Sequence, residues 1–214
     1  MSLLIDGSAE APATLVLAHG AGAPMDSPFM EAIATGLAQR GWRVLRFEFP
    51  YMARQRLTGR KAAPDTLAKL QDHFRGVVAE AAGETPLIIG GKSLGGRVAS
   101  LLANDLAPQG VRGCLCLGYP FHPPGRPNQL RTDHLAALTV PTLILQGERD
   151  PFGRPEEVAT YRLSPQVRVE WIPSGDHSFK PTRASGRSEN DNWQEAIGLA
   201  DGFVQTLLVG VKDC

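Results

Sequence analysis

One serine in this sequence lies where nucleophilic attack on a carbonyl carbon is favoured. Ser93 stands in Gly91-Lys92-Ser93-Leu94-Gly95, which matches the pattern G-x-S-x-G. An apolar run at 86–90 precedes it and a helix-like segment follows it, so a sharp turn from strand to helix is expected there. Glycines on both sides let the two elements approach closely. We therefore interpret Ser93 as a candidate nucleophile for acyl transfer.

A histidine and an aspartate are available as the partners that such a serine needs. A hydroxyl becomes a good nucleophile only when a base takes its proton and an acid orients that base. His177 is the best placed of the five histidines, because it follows the last predicted strand and precedes the last predicted helix. Asp150 follows the strand predicted at 142–146, and Glu148 in the same loop is the weaker alternative. The sequence predicts a triad of Ser93, Asp150 and His177.

Two backbone amides are candidates for an oxyanion hole. The amide of Leu94 lies at the start of the helix that follows Ser93, where the positive end of the helix points at the reaction site. The amide of Ala21 lies in the loop at 19–23 that follows the first strong strand. His19 in that loop is expected to anchor the turn, and the predicted oxyanion hole consists of Ala21 and Leu94.

The elements that must position these residues alternate along the chain. Short apolar runs are followed by longer helix-like segments, which is typical of a parallel sheet covered by helices on both faces. Strands are predicted at 14–18, 42–49, 86–90, 111–117, 142–146 and 167–172, and helices at 28–40, 66–82, 94–106 and 191–208. A polar connection is predicted at 51–65, and the residues between 119 and 142 are too few for a lid domain. We predict a three-layer α/β fold without a lid, with a sheet of about six to seven strands, as one domain over residues 1–214.

Composition narrows the class of partner. Lys plus Arg and Asp plus Glu both number 22, so the net charge gives no reason to expect a nucleic acid or an anionic membrane. A small-molecule substrate is the better expectation, and no cofactor or metal is predicted. The N-terminal residues lack a signal-peptide pattern and no apolar run could span a bilayer, which predicts a cytoplasmic protein. Cys114, Cys116 and Cys214 are interpreted as reduced core thiols.

The motifs resemble the α/β-hydrolase superfamily over nearly the whole chain, and the order Ser, Asp, His is that of this superfamily. More narrowly, the sequence is similar to the lidless branch related to dienelactone hydrolases. That branch includes the testis-expressed hydrolase-like protein and the hydrolase-like domain of a nonspecific-lethal chromatin-complex subunit. The resemblance is carried by LAHGAGAPMDSPFM at 17–30, RFEFPYM at 46–52, GGKSLGGRVAS at 90–100, GYPFHPPGRP at 118–127 and LQGERDPFG at 145–153. Dienelactone hydrolases have cysteine where this chain has Ser93, so their lactone substrate is not transferred to it.

The residues and the resemblance together predict a serine hydrolase. It would cleave carboxylic ester or thioester bonds through an acyl-enzyme and without a cofactor. The second hypothesis is a non-catalytic interaction module that keeps the fold, because the resemblance includes eukaryotic relatives that serve as subunits of assemblies. The third is a serine peptidase. A phosphate-binding P-loop is disfavoured, because Pro86 stands where that motif needs glycine.

Substrate contacts are predicted only weakly. Six residues could line an acyl pocket, although apolar residues near strand ends are as often core: Met25, Phe29, Tyr51, Tyr119, Phe121 and Phe152. Arg126 could contact an anionic substrate. It belongs to a set of basic residues that lie in the turn at Ser93 or in loops after strands. The members of this set are Lys92, Arg54, Arg60, Lys61, Arg126 and Arg131. Arginines in surface loops are usually just solvated, so both interpretations stay open.

Overall fold

Apolar segments that are buried on both faces form the centre of a seven-stranded sheet in the computed structural model, which describes residues 3–209. The strands are β1 (Leu3–Asp6), β2 (Thr14–Ala18), β3 (Arg43–Phe47), β4 (Leu87–Lys92), β5 (Val111–Leu117), β6 (Thr142–Gly147) and β7 (Val167–Ile172). Their order in the sheet is β1-β3-β2-β4-β5-β6-β7. Only the β1–β3 pair is antiparallel. Every residue of β2, β4 and β6 is buried, as expected for strands covered on both sides.

Helices cover both faces of the sheet. They are α1 (Pro28–Ala38), α2 (Pro50–Thr58), α3 (Leu67–Ala81), α4 (Leu94–Leu106), α5 (Pro155–Val158) and α6 (Glu189–Val209). The stripes of α3 and α4 pack on one face of the sheet, where Phe74 and Leu102 are buried. Those of α1 and α6 pack on the other face, where Ile33 and Ile197 are buried. The predicted three-layer fold is confirmed, and within residues 3–209 no helix is long and apolar enough to cross a membrane.

Within residues 3–209 the structure adds one strand, two α-helices and three short 3-10 helices to the elements predicted from the sequence. β1 was not predicted, because its four residues pair with β3 at the sheet edge and carry little periodic signal. The prediction of a polar connection at 51–65 is wrong over its first part, where α2 lies. Pro50 begins this helix and Gly59 ends it at φ 66°, but only Tyr51 and Met52 are buried, so it lacks an apolar stripe. α5 is a single short turn that also escaped prediction.

The thiols of β5 belong to the core. Cys114 and Cys116 are free and fully buried, with their Sγ atoms 3.9 Å apart. The contact with Cys114 and burial raise the pKa of the Cys116 thiol well above its usual value, which makes it unreactive. These two cysteines agree with the prediction of reduced core thiols, whereas Cys214 lies outside the described residues.

The strand order creates a crevice at the carboxyl edge of the sheet. The chain passes from β2 outward to β3 and then returns to form β4 on the other side of β2. The connections that leave β2 and β4 therefore run to opposite sides, and ligands of open α/β sheets bind where strand order reverses in this way. The loop after β2 contains Ala21, and Ser93 follows β4 directly.

Candidate active site

Ser93 forms a strained turn between β4 and α4. Its φ and ψ angles are 51° and −110°, in a region that residues with side chains rarely adopt. The Ser93 amide donates a 2.9 Å hydrogen bond to the carbonyl of Leu117 in the neighbouring strand. A Cβ atom on Gly95 would lie 2.4 Å from the carbonyl oxygen of Ala18, so α4 can approach the sheet this closely only with glycine at that position. The turn is thus held by its backbone and not by the serine side chain.

His177 and Asp150 meet at the same edge of the sheet. His177 Nδ1 lies 2.7 Å from Asp150 Oδ2, with the carboxylate fully buried and the imidazole partly exposed. This bond leaves Nε2 as the nitrogen that can accept a proton. Ser93 and His177 line one cavity, although among residues 3–209 their side chains form no direct hydrogen bond. Such bonds commonly tighten only around a bound substrate.

Asp150 is oriented by neighbours that sequence analysis did not single out. Gln146 Nε2 donates to Asp150 Oδ2 at 3.0 Å, and the amide of Phe152 donates to Oδ1 at 2.9 Å. These donors hold the carboxylate in its buried position. The alternative acid, Glu148, is exposed and accepts a hydrogen bond from the amide of Ser174 instead. Asp150 is therefore the acid that contacts His177.

The surroundings of His177 favour its neutral form. Burial lowers the pKa of the imidazole below its ordinary value. The hydrogen bond to Asp150 opposes this effect, and the positive charge of Lys92 adds to it. A histidine with a lowered pKa is unprotonated at neutral pH, as a general base must be.

The two candidate oxyanion residues, Ala21 and Leu94, border the smaller of two cavities at Ser93. Leu94 is the first residue of α4, where an α-helix leaves its amides without internal acceptors. The loop that carries Ala21 is held by a hydrogen bond, which the Tyr51 hydroxyl donates to the carbonyl of Ala21 at 3.2 Å. His19 Nδ1 lies 2.6 Å from the carbonyl of Gly20, and its Nε2 accepts from a backbone amide, which fits the predicted anchoring role.

Two cavities meet at Ser93, and both are bordered by Ala21 and Phe152. The larger has a volume of about 610 Å³ and is mainly apolar, with Phe29, Met30, Lys92, His177 and Trp193 in its wall. The smaller has a volume of about 300 Å³, with Leu67, Leu70, Leu94, Arg97 and Arg131 in its wall. A broader depression of about 750 Å³ between residues 127 and 162 does not include Ser93 or His177. The nucleophile thus has room for a substrate group on each side.

The structure brings some of the predicted substrate residues to these cavities: Phe29, Phe152 and Lys92 line the larger one and Arg131 lines the smaller one. Met25, Tyr51 and Tyr119 are buried in the core, where the hydroxyls of both tyrosines donate to backbone carbonyls. Arg126 is exposed and lines neither cavity. Trp193 was missed because it comes from the distant helix α6. By contrast, Arg97 lies four residues after Ser93 on α4, a spacing that places it near Ser93.

A second serine and histidine are hydrogen-bonded to each other outside the two cavities. Ser100 Oγ lies 2.9 Å from His134 Nε2, and it donates its proton to the carbonyl of Arg97 at 2.9 Å. Burial and the charge of Arg97 lower the pKa of His134 to about 4. Ser100 is buried and lines neither cavity, and no carboxylate within residues 3–209 hydrogen-bonds His134. This pair is a structural contact between α4 and the chain at 133–137.

Lys92 is a buried cation beside the nucleophile. Its ammonium group donates to the carbonyl oxygen of His177 at 2.5 Å and lies 5.5 Å from the centre of the Phe29 ring. Burial lowers the pKa of Lys92 to about 8, although the charges of Asp150 and Asp176 oppose the shift. This bond connects the loop that carries His177 to the turn at Ser93. Burying the ammonium charge is nevertheless costly.

Replacing Lys92 by methionine is expected to stabilise the fold at pH 7. A pKa of about 8 in place of 10.5 means that the charged ammonium destabilises the folded state by about 3 kcal/mol. Methionine removes this cost but also loses the hydrogen bond to His177, which is worth about 1 kcal/mol. The unfolded chain keeps this proton up to about pH 10.5 and the folded one releases it near pH 8. Wild-type stability therefore rises with pH between these values. The Lys92→Met variant should gain about 2 kcal/mol in free energy of unfolding at pH 7 and less at pH 10, as measured by urea denaturation.

The matched control is Lys69→Met on the exposed face of α3. A surface substitution of this kind should change the free energy of unfolding by less than about 0.5 kcal/mol at either pH. A Lys92→Met variant that is less stable than the wild type at pH 7 would show that the bond to His177 outweighs the cost of burying the charge.

No metal site accompanies these residues. Over the part of the chain from 3 to 209, no group of three or more His, Cys, Asp and Glu side chains is placed to hold a metal ion. The groups positioned for chemistry at the crevice are a hydroxyl, an imidazole, a carboxylate and backbone amides.

A mostly parallel sheet with a serine elbow at its strand-order reversal defines the α/β-hydrolase class of proteins. The sequence profile of the family described as alpha/beta hydrolase domain matches residues 11–205. The chain belongs to this α/β-hydrolase family.

Several solved structures share the fold. Dienelactone hydrolase from Anabaena variabilis is 22% identical, with 95% of this chain and 90% of that chain covered and a TM-score of 0.73. Est1E from Butyrivibrio proteoclasticus is 16% identical over 97% and 94% of the two chains, with a TM-score of 0.71. An α/β serine hydrolase without a lid from Xanthomonas campestris is 19% identical over 91% and 87%, with a TM-score of 0.62. The predicted resemblance to dienelactone hydrolases and lidless serine hydrolases is confirmed.

Proposed function

We propose that this protein is a serine hydrolase that cleaves small carboxylic esters or thioesters, with residues 1–214 acting as one catalytic domain. The observation that carries the proposal is that Ser93, in its strained turn, shares a cavity wall with His177, which is hydrogen-bonded to the buried Asp150. The cytoplasmic location predicted from the sequence is part of the same proposal.

The proposed reaction has two stages. His177 Nε2 accepts the Ser93 proton while the oxygen attacks the substrate carbonyl, and the amides of Ala21 and Leu94 stabilise the resulting oxyanion. His177 then gives the proton to the departing alkoxide or thiolate, which leaves an acyl-Ser93. Water deprotonated by His177 attacks this acyl group in the second stage, and the acid and free Ser93 are released. Asp150 holds the imidazole in the required tautomer throughout.

The surroundings of Ser93 favour esters over peptides and over a purely binding role. Within the described residues 3–209 no lid covers the two cavities, which suit a small acyl or alcohol group on either side of the serine. A peptidase would share the triad but needs an extended site for the chain. The lowered pKa of His177 and the hydrogen bonds to Asp150 are the arrangement that catalysis needs, and an interaction module would have no use for them.

The proposal is tested by labelling the purified protein with a fluorophosphonate, which reacts with activated serines. Trypsin separates the two relevant serines, because cleavage after Lys92, Arg97 and Arg112 yields SLGGR with Ser93 and VASLLANDLAPQGVR with Ser100. We expect a single adduct, on SLGGR, and hydrolysis of 4-nitrophenyl acetate by the unlabelled protein only. An unlabelled but folded protein would favour the interaction module, and an adduct on the Ser100 peptide would move the nucleophile to the other serine–histidine pair.

A further inference from the structure

Two arginines face the smaller cavity beside Ser93. Arg97 comes from the first turns of α4, and Arg131 comes from the loop before the short helix at 133–137. Neither guanidinium lies within ion-pair distance of a carboxylate within residues 3–209. The Nε atom of Arg97 is buried and has no hydrogen-bond partner. A buried guanidinium donor without an acceptor is costly, so its place at a cavity wall calls for a ligand.

Other arginines near the site are paired, which makes this pair unusual. Arg46 binds Asp6, Arg54 binds Asp65, and Arg56 binds Glu48. Arg131, by contrast, has no carboxylate among residues 3–209 to balance its positive charge. Burial lowers its pKa, and the charge of Arg97 lowers it further. Two like charges that repel each other next to a nucleophile are stabilised when an anion lies between them.

The backbone holds both arginines in place. The Tyr119 hydroxyl donates to the carbonyl of Arg131 at 2.8 Å, and the Arg131 amide donates to the carbonyl of Phe121 at 2.8 Å. The carbonyl of Arg97 accepts the hydroxyl proton of Ser100 at 2.9 Å. The buried serine–histidine pair thus supports the backbone from which Arg97 extends to the wall of this cavity.

One carboxylate also borders the cavity. Asp65 is bound through Oδ1 to Arg54 at 2.8 Å, so its charge is already balanced. Its Oδ2 is buried without a hydrogen-bond partner, which leaves one unused acceptor on a residue of this wall. The cavity retains the charge of two guanidiniums, with an acceptor suited to a hydroxyl or amide group on the same ligand.

We propose that Arg97 and Arg131 bind a carboxylate carried by the ester or thioester substrate, so that the enzyme selects esters with an anionic group over neutral ones. This inference rests on the proposed hydrolase function and adds the substrate class. Guanidinium groups bind carboxylates through paired, charge-assisted hydrogen bonds. A cavity of about 300 Å³ next to Ser93 places that carboxylate a few bonds from the scissile carbonyl.

The test compares kcat/KM for two matched pairs of esters. The 4-nitrophenyl monoester of glutaric acid and its terminal amide differ in charge on the acyl side, and 4-acetoxybenzoate and 4-acetoxybenzamide differ on the alcohol side. We expect the wild type to prefer the anionic member of one pair by about 10- to 100-fold, which also shows on which side of the bond the arginines act. Arg97→Gln and Arg131→Gln should each reduce this preference to near one, chiefly through a higher KM for the anionic ester.

Arg112→Gln is the matched control, because Arg112 is exposed at the other end of β5. It should keep the wild-type preference, and thermal unfolding confirms that all three variants are folded. Equal kcat/KM values within both pairs for a wild type that is labelled at Ser93 would overturn the carboxylate site and leave the hydrolase function standing. A folded wild type that is neither labelled nor active on any of the esters would overturn both.

Discussion

Replacing Ser93 by alanine is expected to lower kcat for ester hydrolysis by about 10⁴- to 10⁶-fold, the range seen when a serine hydrolase loses its nucleophile. The expectation rests on the position of the residue, whose side chain reaches two cavities while its backbone makes the turn. Residual turnover would come from the oxyanion amides alone. Active-site titration with a fluorophosphonate and steady-state hydrolysis of 4-nitrophenyl acetate measure the loss.

The variant should remain folded, since the contacts that hold the turn are made by the amide of Ser93 and by neighbouring glycines. Ser100→Ala is the matched control, because Ser100 lies in α4 and is hydrogen-bonded to His134 of the short helix at 133–137, but lines neither cavity. It should keep kcat for this neutral ester within about tenfold of the wild type. If Ser93→Ala retained most of the activity and Ser100→Ala lost it, Ser100 would be the nucleophile.

The site could be predicted from sequence wherever the chemistry depends on a contiguous motif or on chain order. The glycines around Ser93 are required by close contacts with the backbone of β2 and β4. The turn can therefore be predicted from a few consecutive residues. Asp150 and His177 each follow a strand, and all parallel strands deliver such residues to one edge of the sheet. These placements need no knowledge of the side-chain packing.

The cavity walls could be predicted only in part, because they depend on which side chains point inward after packing. Phe29 and Phe152 line the larger cavity as predicted, whereas Met25 and the two predicted tyrosines do not. Tyr51 and Tyr119 follow strands as the catalytic residues do, yet both turn into the core and donate to backbone carbonyls. Trp193 reaches the larger cavity from α6, one hundred residues away from Ser93 in sequence. Gln146 is the second-last residue of β6, and only the fold shows that it orients Asp150.

Replacing Asp150 by asparagine is expected to lower kcat by about 10³- to 10⁴-fold. The buried carboxylate accepts from His177 and Gln146 through Oδ2 and from the Phe152 amide through Oδ1. An asparagine that turns its oxygen toward Phe152 points its NH₂ at His177, which forces the proton onto Nε2 and removes the base. An asparagine turned the other way sets its NH₂ against the Phe152 amide. One donor is left without an acceptor in either case, so the free energy of unfolding should also fall by about 1–3 kcal/mol.

Glu148→Gln is the matched control for this prediction, because Glu148 lies two residues away in the same loop and was the alternative acid. Its carboxylate is exposed and accepts from the Ser174 amide, a bond that the glutamine oxygen can still accept. Kinetics on 4-nitrophenyl acetate should therefore change by less than about tenfold, and urea denaturation by less than about 0.5 kcal/mol. If the losses were reversed between the two variants, Glu148 would orient the histidine in solution. Because the carboxylate stabilises the imidazolium that forms during each stage, the acid identified by the larger loss in kcat is the one that acts in catalysis.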